Sequence, residues 1–376
     1  MHGVGGSLVP EILLKVNRCS LIPVPQQMLP DPNFSTVKFP NPEEDGALSL
    51  AFAAAEEIGE DTVIANDPDA DRFAVAQKVS GSWQRLTGDQ VGVLLGDYLI
   101  EVEQSQANDK SEVMMICSTV SSRMLEKILT AAGQRFHFSE TLTGFKWIGQ
   151  EAQRCQKAGY KVVFGYEEAL GYMFPEVSWD KDGIAAASTF LSARSLWMKQ
   201  GLDPWTKLQQ LYQKHGYHES INTYFISTDP SYTAAIFSKI RDSEELRHAV
   251  LGLYKIEAWR EPPTRAEFGK WSTTLPMEDS GKMMQFQLTQ CTGSGPDPDS
   301  LARATEIFFT LRASGTEPKL KLYLECSAPT EEEAALHASQ TFAAILSHWI
   351  SRFGPKLKHS GTAKSSSGRV VDAVIG

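Results

Sequence analysis

Three aspartates, Asp67, Asp69 and Asp71, alternate along one short segment between two apolar runs. Residues 62–65 and 73–79 have the composition of strands, so the aspartates are predicted to lie in a loop that follows a strand. Carboxylates two residues apart can face the same side of an extended chain. Magnesium prefers such hard oxygen ligands and commonly keeps positions open for water and phosphate oxygens. The spacing therefore predicts a magnesium site.

Three other interpretations of this acidic loop compete with magnesium binding. An EF-hand counted from Asp67 requires glycine where Arg72 stands and a bidentate glutamate where Lys78 stands, so it is excluded. A phosphatase with an aspartyl nucleophile also has an aspartate pair after a strand, but there the carboxylate attacks phosphorus. A solvated turn, which Asp and Pro favour, needs no ligand. The loop alone leaves the last two interpretations open.

A second segment with chemical potential runs from Arg312 to Lys319. Small residues at its centre allow backbone N–H groups to close on a phosphate, and two hydroxyls add donors; these residues are Ser314, Gly315 and Thr316. Arg312 and Lys319 supply flanking positive charge, and a guanidinium suits bidentate contact with phosphate. An ordinary hairpin turn would explain the small residues but not both cations. The segment therefore predicts a phosphate-binding loop.

Three further loops are ambiguous when each is taken alone. Residues 144–147, Gly-Phe-Lys-Trp, resemble a helix start in which Lys146 is solvated. Glu167 and Glu168 follow a predicted strand at residues 161–164, and they could simply complement the N-terminus of a helix. Lys181 stands in Asp-Lys-Asp-Gly before another predicted helix. The first two loops follow strands, and ligands of open α/β sheets gather at the carboxyl ends of strands.

The elements that must position these loops alternate in the first half of the chain. Helices are predicted at 7–16, 44–58, 91–102, 121–132, 145–158 and 184–197, with strands at 21–24, 62–65, 73–79, 113–117, 135–138 and 161–164. This alternation is typical of βαβ units. After Gly201 the predicted strands group together, around a final amphipathic helix. The sequence thus predicts an α/β fold: two consecutive βαβ domains with mixed sheets, followed by an α+β C-terminal domain.

Length and composition set the boundaries and exclude some functions. A chain of 376 residues exceeds one typical core, so we predict domains at 1–79, 80–203 and 204–355, then a disordered tail at 356–376. A net charge of −10 argues against nucleic-acid binding, and no apolar run is long enough for a membrane helix. Five scattered cysteines without CxxC spacing indicate a reducing compartment, so we expect a cytoplasmic protein.

Taken together, these motifs resemble the α-D-phosphohexomutase family, and within it the branch of phosphoglucomutase 2 and phosphopentomutase. The resemblance extends from His2 to about Arg352 and rests on five segments: 66–72, 143–147, 167–171, 180–183 and 312–319. It implies four domains around a cleft and an intramolecular phosphoryl transfer between two sugar hydroxyls through a bisphosphorylated sugar. The implied partner is a phosphorylated monosaccharide. The implied cofactors are Mg²⁺ and a sugar bisphosphate activator, glucose 1,6-bisphosphate or ribose 1,5-bisphosphate.

The resemblance also implies a role for each site residue. The three aspartates would bind Mg²⁺, and Arg72 would steady the transferring phosphate as the catalytic residue of this chain. Glu167 would accept hydrogen bonds from sugar hydroxyls, with Glu168, Lys146 and Lys181 in the same sugar pocket. The non-reacting phosphate would be bound by Arg312, Ser314, Gly315, Thr316 and Lys319.

Two departures from the family pattern qualify the expected reaction. Ala169 stands where many hexose-specific members have serine, so pentose 1-phosphate and 5-phosphate are the preferred substrates, as expected in nucleoside catabolism. Glucose 1-phosphate and 6-phosphate come next, and a glucose 1,6-bisphosphate synthase remains an alternative. The family's serine nucleophile, in a Ser-His-Asn-Pro type loop, has no counterpart in this sequence. The chain is therefore expected to lack the first domain, as part of a mutase that is monomeric when full length or as a non-catalytic phosphosugar-binding fragment.

Overall fold

The computed structural model describes residues 1–19, 21–106, 108–227, 229–262, 275, 282–290, 305–314, 318–354, 357–359, 363–367 and 370–371. The chain forms two compact units, Met1–Leu211 and Tyr212–Gly376. The division falls within a helix, Pro204–His215. In the described ranges, every helix is too short or too polar to span a membrane.

The first part of unit 1 places three helices beside a small antiparallel sheet. Its elements are α1 Gly5–Asn17, α2 Pro25–Met28, α3 Ser49–Ile58, β1 Thr62–Ala65, β2 Ala74–Val79 and β3 Ser82–Arg85. The strands are ordered β1-β2-β3. Ser80 and Gly81 join β2 to β3 with φ of 49° and 85°, the two left-handed residues of a tight hairpin turn. Leu48 and Ala55 pack on Val63 and Ala76 in the local core.

The second part of unit 1 is a mixed sheet with helices around it. Its elements are α4 Gly88–Ser105, β4 Val113–Ser118, α5 Met124–Ala132, β5 Phe136–Thr141, α6 Phe145–Lys157, β6 Lys161–Glu167, β7 Gly171–Met173, α7 Gly183–Lys199 and α8 Pro204–His215. The order is β5-β4-β6-β7, with β4, β5 and β6 parallel and β7 antiparallel. All six residues of β4 are buried, as in a parallel sheet covered on both faces. The carboxyl ends of β4, β5 and β6 therefore lie at one edge.

Unit 2 is dominated by a long antiparallel sheet. Its described elements are β8 Tyr217–Ser227, α9 Pro230–Asp242, α10 Glu244–Arg247, β9 Val250–Leu251, β10 Tyr254–Arg260, β11 Met283–Gln290, β12 Glu306–Ala313, β13 Lys319–Ala328, α11 Glu331–His348, β14 Leu357–His359, β15 Ala363–Ser365 and β16 Val370–Val371. The sheet order is β16-β15-β8-β13-β12-β11-β10-β9, and β14 also pairs with β8. Trp349 contacts Phe286 and Phe309 edge-to-face in the core.

The predicted α/β class, with mixed sheets and an α+β C-terminal part, is confirmed, but three details differ from the expectation. Residues 21–24 form no strand, and the first sheet is antiparallel because β2 folds back beside β1. The predicted boundary at 79/80 would cut the hairpin that pairs β2 with β3. The tail predicted to be disordered contributes β14 and β15, because the edge of β8 offers unpaired backbone groups that they satisfy.

Candidate functional site

The loop after β1 folds its three aspartates toward one point. One carboxylate oxygen from each of Asp67, Asp69 and Asp71 lies within 4.8 Å of the other two. The backbone of Ala70 has a φ of 61°, which turns the chain sharply between Asp69 and Asp71. Asp67 Oδ1 accepts a hydrogen bond from the Arg72 N–H at 3.0 Å. The turn thus converts alternating aspartates into a cluster.

Side-chain and backbone contacts from distant segments brace this loop. The Asn66 amide donates to the Arg72 carbonyl at 2.6 Å and closes the base of the loop. The Val4 N–H donates to the Pro68 carbonyl at 2.8 Å, and the Phe73 N–H donates to the Leu170 carbonyl at 3.1 Å. At Gly183 a Cβ atom would lie 2.3 Å from the Arg72 carbonyl oxygen. The loop therefore packs directly against the backbone of residue 183, where only glycine fits.

The electrostatics of the aspartate cluster fit a divalent cation. Asp67 is only 8% exposed, and burial together with the neighbouring Asp69 and Asp71 raises its pKa to about 6. Asp71 Oδ1 is buried and, in the described part of the chain, has no hydrogen-bond partner. Three crowded carboxylates and an unsatisfied oxygen make an acceptor-only cluster of hard ligands, which suits Mg²⁺.

Lys181 connects the aspartate cluster with Glu167. Its ammonium lies 2.7 Å from Asp71 Oδ2. A Cβ atom at Gly171 would lie 3.1 Å from Glu167 Cγ and 3.3 Å from Lys181 Cδ. The side chains of Glu167 and Lys181 therefore both pack against Gly171. Although burial opposes the charged form, Asp71, Asp180 and Glu167 raise the pKa of Lys181. The lysine therefore stays positive between the two acidic groups.

Glu167 ends β6 and faces the loop after β5. Its Oε2 accepts a hydrogen bond from the Gly144 N–H at 3.1 Å. Burial raises its pKa to about 7, with a further contribution from the adjacent charge of Glu168, while Gly144, Lys181 and Arg72 act in the opposite direction. Such a half-satisfied buried carboxyl can accept further hydrogen bonds from a polyhydroxyl ligand.

The other two predicted sugar residues of unit 1 are placed differently. Glu168 accepts a hydrogen bond from the Ser118 hydroxyl at 3.2 Å. Lys146 is exposed on the first turn of α6, with its ammonium 5.2 Å from the Trp147 ring centroid. Neither has a described contact with the aspartate cluster.

Arg72 lies beside the cluster, and the structure adds a neighbour that sequence reasoning missed. Its Nε is 3.6 Å from Asp67 Oδ2. Burial raises the pKa of the Glu43 carboxyl, whereas the positive charges of Arg72 and Arg85 act to lower that pKa. Glu43 belongs to the irregular loop before α3, where no periodicity distinguishes a site residue from a turn residue. The proximity of Glu43 to Arg72 is visible only in the folded structure.

The predicted phosphate loop lies in unit 2, between β12 and β13. Arg312 stands opposite Met283 and Lys321 in the sheet, and the Ser314 N–H donates to the Lys319 carbonyl at 2.8 Å. The Lys319 ammonium is 4.6 Å from the Tyr224 ring centroid. The predicted residues Gly315 and Thr316 lie outside the described residues. The structure therefore places both cations at the ends of one hairpin.

Comparison with protein families gives three matches along the chain. Residues 1–81 match "Phosphoglucomutase/phosphomannomutase, alpha/beta/alpha domain II". Residues 87–215 match domain III of the same family, and residues 301–341 match its C-terminal domain. The matches include the aspartate loop, the Glu167 loop and the hairpin that carries Arg312.

Curated relatives resemble nearly the whole chain. The phosphoribomutase of Saccharomyces cerevisiae is 38% identical over 369 residues, covering 93% of this chain and 57% of the relative. The phosphopentomutase of Mus musculus is 39% identical over 345 residues (88% and 52%), and the glucose 1,6-bisphosphate synthase of Homo sapiens is 34% identical over 352 residues (89% and 53%). The chain thus spans somewhat more than half the length of these relatives.

A solved structure supports the fold. The open form of the Paramecium phosphoprotein parafusin, a phosphoglucomutase, matches with a TM-score of 0.60 at 17% identity. The match covers 94% of this chain and 57% of the other chain.

Proposed function

The chain belongs to the phosphoglucomutase/phosphomannomutase family, and we propose that it supplies the metal-, sugar- and phosphate-binding parts of a phosphosugar mutase that acts on pentose phosphates. The proposed reaction interconverts ribose or deoxyribose 1-phosphate with the 5-phosphate. It moves a phosphoryl group between two hydroxyls of one sugar by way of a sugar bisphosphate.

One observation carries the proposal: unit 1 joins a cluster of three carboxylates to the partly buried carboxyl of Glu167 through a lysine. Asp67, Asp69 and Asp71 provide hard oxygen ligands. Lys181 contacts Asp71 and passes beside Glu167, so positive charge lies between the cluster and the glutamate. A solvated acidic turn would need neither the partly buried lysine nor the partly buried glutamate.

The protein groups have separable tasks in this proposal. Mg²⁺, when bound by the three aspartates, would offset negative charge on the transferring phosphoryl group. Arg72, next to Asp67, donates to oxygens of that group. Glu167 holds neighbouring sugar hydroxyls through its two oxygens and is itself held by the Gly144 N–H. Lys181 keeps Asp71 in place and adds positive charge to the pocket.

The phosphate that does not react would be held by the hairpin of unit 2. Arg312 and Lys319 provide the charge, and Ser314, with Gly315 and Thr316, provides small residues and hydroxyls. A charge-assisted hydrogen bond contributes about 1.5–3 kcal/mol, so two or three such bonds could account for tight anchoring of one phosphate. We propose this role for the hairpin from its composition and from its match to the family's C-terminal domain.

The preference for a pentose rests on two supports. Ala169 stands two residues beyond Glu167, at the position where serine is expected in many hexose-specific members of the family. Identity is 38–39% to a phosphoribomutase and a phosphopentomutase but 34% to a glucose 1,6-bisphosphate synthase. Synthesis of a sugar bisphosphate is the alternative activity, because the similarity to the glucose 1,6-bisphosphate synthase is only slightly lower.

Calorimetric titration of the chain with ribose 1-phosphate and with glucose 1-phosphate, each with Mg²⁺ or with chelator, tests the proposal. We expect binding that requires Mg²⁺ and favours the pentose phosphate. Glu167→Gln should weaken it at least tenfold, because one charged acceptor is lost. The matched control Glu176→Gln changes an exposed glutamate and should bind like the wild type. Equal binding by all three proteins would overturn the assignment of Glu167.

A second variant examines the phosphate hairpin. Arg312→Ala should weaken ribose 1-phosphate and glucose 1-phosphate by similar factors, because both carry the same phosphate group. A selective loss of one sugar would contradict a phosphate-binding role. Phosphorus NMR of the same mixtures then separates turnover from binding, since a mutase converts one sugar phosphate into another whereas a binding fragment leaves it unchanged.

A further inference from the structure

One face of the hairpin formed by β12 and β13 in unit 2 carries three positive side chains. Arg312 lies directly opposite Lys321 in the register of these two strands. Directly opposite residues share a face of a sheet, and so do residues two positions apart on one strand. Lys319 therefore lies on the same face as Arg312 and Lys321.

The other face of these two strands belongs to the apolar core of unit 2. Leu311, Leu320 and Leu322 alternate with the cations along the strands and are fully buried. The three cations are only partly buried. The alternation of the sheet thus keeps the positive side chains on the face that a dissolved anion can reach.

The three positive charges repel one another. Like charges that stand directly opposite in a sheet are destabilising, and Arg312 and Lys321 have this arrangement. Within the described ranges, neither of these two side chains forms an ion pair with a carboxylate. Lys319 adds a third charge, and repulsion favours extension of its flexible side chain into solvent. An attractive contact is therefore important for the position of the Lys319 ammonium.

Tyr224 of the adjacent strand β8 supplies such a contact. The Lys319 ammonium lies 4.6 Å from the centroid of the Tyr224 ring. In the register, Lys319 is opposite Ile226, and Tyr224 precedes Ile226 by two residues. The lysine side chain therefore reaches diagonally across the two strands to meet the ring. At this distance the negative face of an aromatic ring attracts a cation.

An aromatic ring holds a lysine differently from a carboxylate. A carboxylate partner would offset the positive charge of Lys319 and compete with a phosphate for its N–H donors. The ring of Tyr224 has no net charge, so it orients the ammonium without neutralising it. The contact between Tyr224 and Lys319 thus suits a lysine that binds an anion.

We propose that Tyr224 is a positioning residue of the phosphate site, because its ring holds the Lys319 ammonium on the face that carries Arg312. This inference rests on the proposed function, in which the hairpin binds the phosphate that does not react. Tyr224 acts through Lys319 and reduces the side-chain entropy that is lost when the phosphate binds. The benefit concerns the phosphate group, so it is the same for pentose and hexose phosphates.

Nuclear magnetic resonance of the full chain, with lysine labelled with ¹³C at Cε, tests the contact itself. A Cε–H group that lies over an aromatic ring is shifted upfield, and the signal of Lys319 is the one that Lys319→Met lacks. We expect this upfield shift to be lost in Tyr224→Leu and retained in Tyr224→Phe. Addition of ribose 1-phosphate with Mg²⁺ should move the same signal in the wild type.

Calorimetric titration with ribose 1-phosphate and Mg²⁺ measures the consequence for binding. Tyr224→Leu should weaken binding about three- to tenfold, as expected for the loss of a partly exposed cation–π contact. Tyr224→Phe keeps the ring and should bind within about twofold of wild type. The matched control Ile226→Val changes the residue directly opposite Lys319 and should also bind within about twofold. Circular dichroism melting checks that each variant is folded.

A double-mutant cycle shows whether Tyr224 acts through Lys319. Lys319→Met should weaken binding of ribose 1-phosphate by itself. When Tyr224→Leu is added to Lys319→Met, the further loss should be less than about twofold, because the contact is already absent.

Four results would overturn the inference. Binding by Tyr224→Phe as weak as by Tyr224→Leu would assign the effect to the hydroxyl group. A full effect of Tyr224→Leu in folded Lys319→Met would mean that the ring acts through another group. Wild-type affinity in Tyr224→Leu, with weakened binding in Lys319→Met, would remove Tyr224 from the site and leave the phosphate-binding hairpin intact. Unchanged affinity in Lys319→Met would instead refute the proposed function of Lys319 and the inference with it.

Discussion

Replacement of Glu167 by glutamine is expected to change the stability of unit 1 in a way that depends on pH. The stability of the variant relative to wild type should be greater at neutral pH than at acidic pH. The pKa of this carboxyl is raised from 4.5 to about 7, chiefly by burial. Between these values the folded state holds a proton that the unfolded state releases. The contribution of Glu167 to the free energy of unfolding of wild type must therefore fall as pH rises from about 4.5 to about 7.

The size of the effect follows from the same two pKa values. A difference between 4.5 and about 7 corresponds to about 3 kcal/mol of stability lost by wild type above pH 7. Glutamine keeps the shape and the Gly144 contact but has no charge to bury. The stability of Glu167→Gln relative to wild type should thus increase by up to about 3 kcal/mol between pH 4 and pH 8.

Hydrogen exchange of the β6 amides between pH 4 and pH 8, with chelator present, measures this difference within unit 1. Titration of Asp67, whose pKa is about 6, occurs in both proteins and cancels in the comparison. Glu176→Gln removes the same formal charge at an exposed position. A pH-independent gain in Glu167→Gln, or the same trend in Glu176→Gln, would refute burial as the cause.

Three further changes have defined expectations. Asp71→Asn should weaken Mg²⁺ binding at least tenfold in calorimetry by removing an anionic ligand; an equal effect of the exposed control Glu57→Gln would indicate a nonspecific charge effect. Gly183→Ala should destabilise unit 1 by about 1–3 kcal/mol in thermal unfolding, because the added Cβ would lie 2.3 Å from the Arg72 carbonyl oxygen; an unchanged midpoint would contradict this packing. Thr330→Ala should cost unit 2 about 1 kcal/mol in urea unfolding by removing the N-cap of α11, and Thr330→Ser should restore it.

Much of the secondary structure could be predicted because local sequence patterns, such as hydrophobic spacing and turn-forming residues, determined it. The predicted helix at 145–158 agrees with α6, and the predicted strand at 62–65 agrees with β1. Glycines flank the helix, and turn-forming residues follow the strand. The aspartate cluster was also predictable, since alternating carboxylates in a loop after a strand reach one point with a single left-handed residue, Ala70.

The remainder depended on tertiary contacts that one sequence does not display. Residues 21–24 have the composition of a strand, but strand formation requires a partner edge, and none of the described strands supplies it. The tail residues after Lys356 look polar and flexible, yet β14 and β15 gain order from the edge of β8. The ion pair between Lys181 and Asp71 joins residues that are 110 positions apart, so spacing could not reveal it.

The bracing of the aspartate loop links its metal affinity to the folding of unit 1. Val4, Leu170 and Gly183 come from three distant segments, and each contacts the loop through backbone atoms or close packing. Because the carboxylates converge only when those segments are assembled, a cation that binds them acts as a folding ligand. At one hundred times its dissociation constant, it would stabilise the folded state by about 2.7 kcal/mol. The melting temperature of unit 1 would then rise with free magnesium, so the cation would control the lifetime of this unit as well as its chemistry.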